Sequence, residues 1–163
     1  MNPEQQKVFD ELDKSGIRYE VIFHPPVFTI EEADALHLDG PGTMLKNLFL
    51  RDAKGKRFFL VSMKEEKRAD LRALQARLGC SRLSFASEQR LMEMLGLRKG
   101  SVTPMGLLND ETHVVEFFLD DEVAPETNIG VHPNDNAATV YLRMKDLERL
   151  LTSHGHAVHR IKI

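Results

Sequence analysis

The sequence predicts a mixed α/β or α+β fold built as one domain, and three observations carry that reading. The chain has 163 residues, within the usual size of a single domain and long enough to bury a core. Hydrophobic residues make up 42% of it and charged residues 29%, far from the composition of disordered chains. Helical and strand patterns alternate along its length, with no internal repeat, low-complexity tract or long Pro/Gly/Ser linker between them.

The elements follow in order from local chemistry. Glu4 to Ser15 places Val8 and Leu12 at helical spacing and stops at Gly16, a residue suited to a left-handed C-terminal cap. Arg18 to Phe23 alternates Tyr19, Val21 and Phe23 on one face and reads as a strand. Thr29 with Glu32 three residues on is a capping box that opens a short helix to about Leu36, before the turn Asp39-Gly40-Pro41-Gly42. Met44 to Arg51 and Arg57 to Ser62 are apolar, β-rich runs joined by Asp52-Ala53-Lys54-Gly55-Lys56, a hairpin signature. Asp70 to Leu78 and Ser87 to Leu95 are amphipathic helices with capping residues in front and Gly79 and Gly96 behind. Thr112 to Leu119, Thr127 to Val131 and Ala138 to Leu142 read as strands, Met144 to Leu151 as a helix ending near Gly155, and a last strand runs to Ile163.

Composition also excludes function classes. The single cysteine, Cys80, makes no internal disulfide, and a half-buried packing role suits it better than that of a nucleophile. Met1 to Lys7 is polar, and no apolar run approaches the length of a bilayer span, so a cytoplasmic protein with no membrane partner is expected. Walker A, G-x-G-x-x-G, G-x-S-x-G, H-E-x-x-H, C-x-x-C and EF-hand patterns are all missing. His154, His156 and His159 resemble a metal tract only in composition, so neither a metal nor a cofactor is expected.

The formal net charge of -3 hides an uneven distribution. Residues 51 to 100 carry 13 Lys+Arg against 6 Asp+Glu, while the rest of the chain carries 9 against 19. That basic stretch includes Arg51, Lys54, Lys56, Arg57, Lys64, Lys67, Arg68, Arg72, Arg77 and Arg82; it is either a docking face for a phosphate backbone or a solvated surface.

Three loops combine permissive backbone with polar groups beside strands: Gly40 to Asn47, Gly100 to Gly106, and Gly130 to Asn136. Glycine beside a strand lets a ligand approach the backbone, whose N–H groups can stabilise an oxyanion. Each loop could equally be only a turn, and Asn134, Asp135 and Asn136 are common turn residues. Lys46, amid Met44, Leu45, Leu48, Phe49 and Leu50, either snorkels to the surface or points into a cleft to hold an anion or a carbonyl oxygen.

At these loops the chain resembles the prolyl-tRNA editing family, whose YbaK-like fold occurs both free-standing and inserted in bacterial prolyl-tRNA synthetases. The resemblance spans essentially the whole chain and rests on Lys46 within Leu45-Lys46-Asn47-Leu48-Phe49-Leu50, the G-x-x-x-P motif Gly100-Ser101-Val102-Thr103-Pro104, and Val131-His132-Pro133-Asn134-Asp135-Asn136. It implies one editing domain over residues 1–163, with a mixed, mainly antiparallel central sheet surrounded by helices, in the free-standing form. It implies hydrolysis of the ester joining a wrong amino acid to the terminal adenosine of tRNA(Pro). A synthetase pocket built for proline excludes smaller alanine by only about 1–3 kcal/mol, so a second site too small for proline must clear the error.

The resemblance further implies Lys46, Gly100 and His132 as catalytic residues. Substrate contacts fall to Asn47, Ser101, Val102, Thr103, Pro104, Asn134, Asp135 and Asn136. Arg51, Lys54, Lys56, Lys64, Lys67 and Arg68 are implied to grip the tRNA backbone. The partner would be mischarged tRNA(Pro), with a transient contact to prolyl-tRNA synthetase. Lys46 to Leu50 looks more like the alanine-clearing subgroup than the cysteine-clearing one. A catalytically silent tRNA-binding module and a small-molecule esterase are the competing classes.

Overall fold

The computed structural model describes residues 1–26 and 41–163. The capping box at Thr29 and Glu32 therefore lies outside the described residues.

Asn2 opens helix α1 (Pro3–Lys14) with the reciprocal bonds of a capping box: its side chain accepts from the Gln5 N–H at 2.8 Å, and Gln5 accepts from the Asn2 N–H at 3.2 Å. Strand β1 (Glu20–Phe23) follows. Strands β2 (Thr43–Arg51) and β3 (Phe58–Lys64) form the expected antiparallel hairpin. Helix α2 (Leu71–Leu78) starts on Asp70 and helix α3 (Glu88–Leu95) on Ser87, each side chain accepting from first-turn N–H groups. Both end on a left-handed glycine, Gly79 at φ 64° and Gly96 at φ 66°. Between them lies β4 (Ser84–Phe85). Strands β5 (Val115–Asp120), β6 (Asn128–Val131) and β7 (Ala138–Arg143), helix α4 (Met144–Ser153) and strand β8 (Val158–Ile161) complete the chain.

The strands form one mixed sheet in the order β1-β7-β6-β2-β3-β5-β8, with β4 on β2. Antiparallel pairs are β1·β7, β6·β7, β2·β3 and β2·β4; parallel pairs are β2·β6, β3·β5 and β5·β8. Strand β2 is the hinge of this arrangement. Its start, Thr43 and Met44, lies along Ile129 and Gly130 of β6, and its end, Leu50 and Arg51, lies along Phe85 and Ser84 of β4.

Alternation along β2 and β3 sends side chains to two cores, which is why both runs are apolar throughout. Leu45, Phe49, Phe58 and Leu60 join α1, α3 and α4 in the larger core, around Val8, Phe9, Leu12, Leu95, Leu147 and Leu151. Leu50, Phe59, Val61 and Met63 meet Leu74 and Leu78 of α2 in the smaller one. Each such side chain contributes about 1.5–3 kcal/mol through burial.

Three local features differ from the sequence reading, the first being the short strand β4, where the sequence predicts no element. Residues 104–106 are not loop but the start of a 3-10 helix, Pro104–Asn109. Thr103 caps it by accepting from the Met105 N–H, proline presets the first turn, and Met105, Leu107 and Leu108 are buried. Strand β5 starts at Val115 rather than Thr112, because the Asp110 carboxylate takes the Val114 and Val115 N–H groups at 3.3 and 2.9 Å and turns the chain before the ladder begins.

Candidate functional site

The sheet order brings the three motif segments together. Successive residues of β2 point to opposite faces. Asn47 faces the larger core, where it accepts a hydrogen bond from the fully buried Ser62 of β3 and donates through Nδ2 to the Val102 carbonyl at 3.3 Å. The next residue of that segment, Thr103, is fully buried and donates its hydroxyl to the His132 carbonyl at 2.7 Å. One hydrogen-bonded chain therefore runs from β3 through β2 and the Gly100 segment to the His132 loop.

His132 is half-buried beyond the end of β6, and its Nδ1 lies 2.8 Å from the Ala138 carbonyl at the start of β7. A carbonyl only accepts, so that bond puts the imidazole proton on Nδ1 and leaves Nε2 as an acceptor. Burial pushes the His132 pKa below the usual histidine value; the Ala138 bond opposes the shift, His24 adds to it, and Asp135 opposes it. The ring is thus held neutral, the form able to take a proton.

His24 stands next to it, with ring centroids 6.2 Å apart in an edge arrangement. Strand β1 places it there: Phe23 pairs with Ala138, and the His24 N–H donates to the Ala137 carbonyl at 3.0 Å. His24 Nδ1 lies 2.9 Å from the Pro25 carbonyl and Nε2 2.9 Å from the buried Thr139 hydroxyl, which fixes the same tautomer as in His132. The sequence reading passed over His24. Its signal was a histidine between a strand and the Pro25-Pro26 pair, too common a pattern to stand out without the β1·β7 pairing.

The loop after His132 is tied to α1. Asp135 accepts from Ala137 N–H at 2.8 Å and from Gln5 Nε2 at 3.2 Å, and Gln5 is itself buried. Gly100 takes φ 88°, open to glycine but strained for other residues. Ser101 is buried and its N–H donates to the Arg98 carbonyl at 3.0 Å, which removes that amide from the donors aimed at a ligand. The wall beside the loop is apolar: a Cβ on Gly130 would stand 2.5 Å from Met44 Sδ and 2.8 Å from Tyr141 Cε1.

Lys46 is placed differently. It lies across from Met63, on the face of the sheet opposite to Asn47, and its ammonium donates to the Lys67 carbonyl in the turn after β3. Among the described residues it has no acidic partner.

The structure splits the basic stretch into two sets. Arg57 grips Glu116 with two bonds of 3.0 and 2.9 Å, Lys67 bridges the buried Asp120 and Glu122 at 2.7 and 2.8 Å, and Arg51 folds onto the Asp52 and Ala53 carbonyls. These three serve the protein's own structure. Lys54, Lys56, Arg68, Arg72, Arg77 and Arg82 are exposed and Lys64 half-buried; among the described residues none of the seven has an acidic partner.

The chain matches the aminoacyl-tRNA editing domain family over residues 24–150. It is 43% identical over 159 residues to the prolyl-tRNA editing protein ProX of Acetoanaerobium sticklandii, covering 98% of this chain and 97% of that protein. The chain belongs to the aminoacyl-tRNA editing domain family. A second relative, prolyl-tRNA synthetase associated domain-containing protein 1 of Danio rerio, is 40% identical over 89% of this chain and 79% of its own. The fold agrees with a solved candidate trans-editing enzyme for prolyl tRNA synthetase, at TM-score 0.72 and 23% identity over 100% of this chain and 99% of that one. The match to the editing family begins at His24, the residue that the β1·β7 pairing sets beside His132.

Other chemistry-bearing residues of this editing domain serve the core and the surface. Cys80 is half-buried against the smaller core, and burial raises its thiol pKa. A cleft of about 360 Å³ lies between α1 and the 110–113 and 154–156 turns. Its histidines are engaged within the protein: His154 with Glu11 at 3.0 Å, His113 Nε2 with the His154 carbonyl at 2.7 Å, and His156 edge-on to His113. Among the described residues no three His, Cys, Asp or Glu side chains are grouped to hold a metal ion, and no helix is long and apolar enough to cross a membrane.

Proposed function

We propose that the chain is a trans-editing aminoacyl-tRNA deacylase that hydrolyses the ester of Ala-tRNA(Pro) and spares Pro-tRNA(Pro) by pocket size. The observation that carries the reading is the hydrogen-bonded chain from Asn47 through Val102 and Thr103 to His132, which joins the three motif segments in a member of the editing family. Its similarity to ProX along nearly the whole of both chains supports prolyl-tRNA as the substrate class.

An aminoacyl ester is already activated, so the protein has to position water and stabilise the oxyanion. Water attacks the ester carbonyl carbon, the tetrahedral oxyanion collapses, and the bond to the terminal ribose oxygen breaks to release alanine and the ribose hydroxyl. Neutral His132 offers Nε2 to orient the water or the ribose hydroxyl. The Gly100 backbone N–H stabilises the oxyanion, in a conformation that leaves no Cβ in the way. Ser101 to Pro104 and Asn134 to Asn136 border the aminoacyl end. Lys46 holds the terminal phosphate from the opposite side of β2, and Lys54, Lys56, Lys64 and Arg68, which have no acidic partner among the described residues, continue that grip along the acceptor stem.

The test is deacylation of Ala-tRNA(Pro) beside free alanine esters, with Lys46→Ala as the variant. The reading requires turnover that depends on tRNA and is lost in the variant. Equal turnover of free esters would make the protein a small-molecule esterase, and binding without turnover would make it a silent module.

A further inference from the structure

Asn134 is out of keeping with the rest of the His132–Asn136 loop. Its side chain is only 6% exposed, yet neither Oδ1 nor Nδ2 has a hydrogen-bond partner. Its backbone lies at φ 62°, in the left-handed region that non-glycine residues rarely occupy. The adjacent Asp135 carboxylate, by contrast, is satisfied by Ala137 and Gln5. A buried amide with donor and acceptor both unmet destabilises the free protein, and a glycine would adopt the same backbone without that penalty. Among the described residues nothing uses the carboxamide, which leaves its donor and its acceptor both available to a ligand.

A carboxamide presents a donor and an acceptor side by side. The complementary group offers an acceptor beside a donor, as adenine does with a ring nitrogen next to its exocyclic amino group. We infer that the Asn134 carboxamide forms its two missing hydrogen bonds with the adenine edge of the substrate's terminal adenosine, which makes it a substrate-contacting residue. The inference rests on the editing reading. It places recognition of the terminal base one turn of the loop from His132, so that the imidazole and the ester are positioned by the same five residues. The bonds form in the substrate complex, since the amide is closed over in the free protein.

Two measurements test it. In the first, AMP is titrated into uniformly 15N-labelled protein while the Asn134 side-chain NH2 pair is followed, assigned by its disappearance in Asn134→Gly. That pair is expected to shift saturably; no shift at saturating AMP overturns the contact. In the second, alanylated minihelices ending in adenosine or in inosine, whose carbonyl replaces the amino group, are offered to wild type and to Asn134→Gly. Each single change is expected to lower kcat/KM about tenfold or more, and the two together no further than either alone. The melting temperature of Asn134→Gly is expected to equal or exceed that of wild type. Wild-type kcat/KM in Asn134→Gly, losses that multiply, or a melting temperature that falls with activity would each overturn the inference. Failure of the wild type to deacylate any charged tRNA(Pro) would instead sink the editing reading, and the inference with it.

Discussion

Replacing Thr103 with valine keeps the shape of a fully buried side chain and removes one hydroxyl. That hydroxyl makes two bonds, donating to the His132 carbonyl at 2.7 Å and accepting from the Met105 N–H at 3.3 Å as the cap of the 3-10 helix. The first bond is worth about 1 kcal/mol net. Loss of a cap adds about 1 kcal/mol more. The expected destabilisation of about 2 kcal/mol lowers the melting temperature by roughly 4–8 °C for a chain of this size. The same bond positions His132 relative to Val102 and Asn47, so deacylation of Ala-tRNA(Pro) should fall by about tenfold or more, since small misplacements of reacting groups are heavily penalised. Thr103→Ser retains the hydroxyl and serves as control, with most of the activity expected to return. Thermal melts by circular dichroism and single-turnover deacylation read the two effects separately. If Thr103→Val melted with wild type and deacylated at the wild-type rate, the hydrogen-bonded chain would not organise the site.

Burial holds the His132 pKa below its ordinary value of about 6.5, so the ring stays neutral as the pH falls through 6.5 and charges only lower down. The single-turnover rate should therefore hold steady from pH 8 past 6.5 before declining, and a decline centred above 6.5 would contradict the assignment. His156 is shifted in the same direction, also by burial. Between these lowered values and 6.5 the unfolded chain binds more protons, so stability should be fully present above 6.5 and be lost on acidification below it, as urea denaturation at a series of pH values would show. Gly130→Ala drives a methyl group to within 2.5 Å of Met44 Sδ and 2.8 Å of Tyr141 Cε1. A loss of about 1–3 kcal/mol in chemical denaturation is expected, and an unchanged midpoint would show that the wall yields. Replacing Lys54, Lys56, Lys64 or Arg68 by glutamine should weaken tRNA binding across sequences and reduce the slope of log affinity against log salt by up to about 1 per phosphate contact, whereas an unchanged slope in all four would assign the phosphate grip elsewhere.

Most of the fold was legible because its signals are local. Asp70 and Ser87 cap their helices, Gly79 and Gly96 end them, and Gly55 turns the hairpin, all within a few residues of the groups they satisfy. Pro104–Asn109 escaped because a 3-10 turn has neither the period of an α-helix nor that of a strand, and its first residues, Pro104 to Gly106, read as loop. At the site the motif segments stood out, but their relations did not. That Asn47 and Lys46 serve opposite faces follows from strand alternation, but which face meets the Gly100 segment depends on the pairing with β3 and on contacts far away in sequence. The roles of His24 and of Asn134 depend on the β1·β7 pairing and on a left-handed backbone respectively, neither of which is encoded within reach of those residues. Charge alone also did not separate Lys67, committed to Asp120 and Glu122, from its neighbour Arg68, which has no acidic partner among the described residues.

The most direct test compares the deacylation of Ala-tRNA(Pro), Cys-tRNA(Pro) and Pro-tRNA(Pro) by the same protein preparation. Rapid loss of alanine with proline retained is the expected result, and it should disappear in His132→Ala. Preferential loss of cysteine would contradict the alanine assignment, and hydrolysis of Pro-tRNA(Pro) at a comparable rate would contradict selection by size.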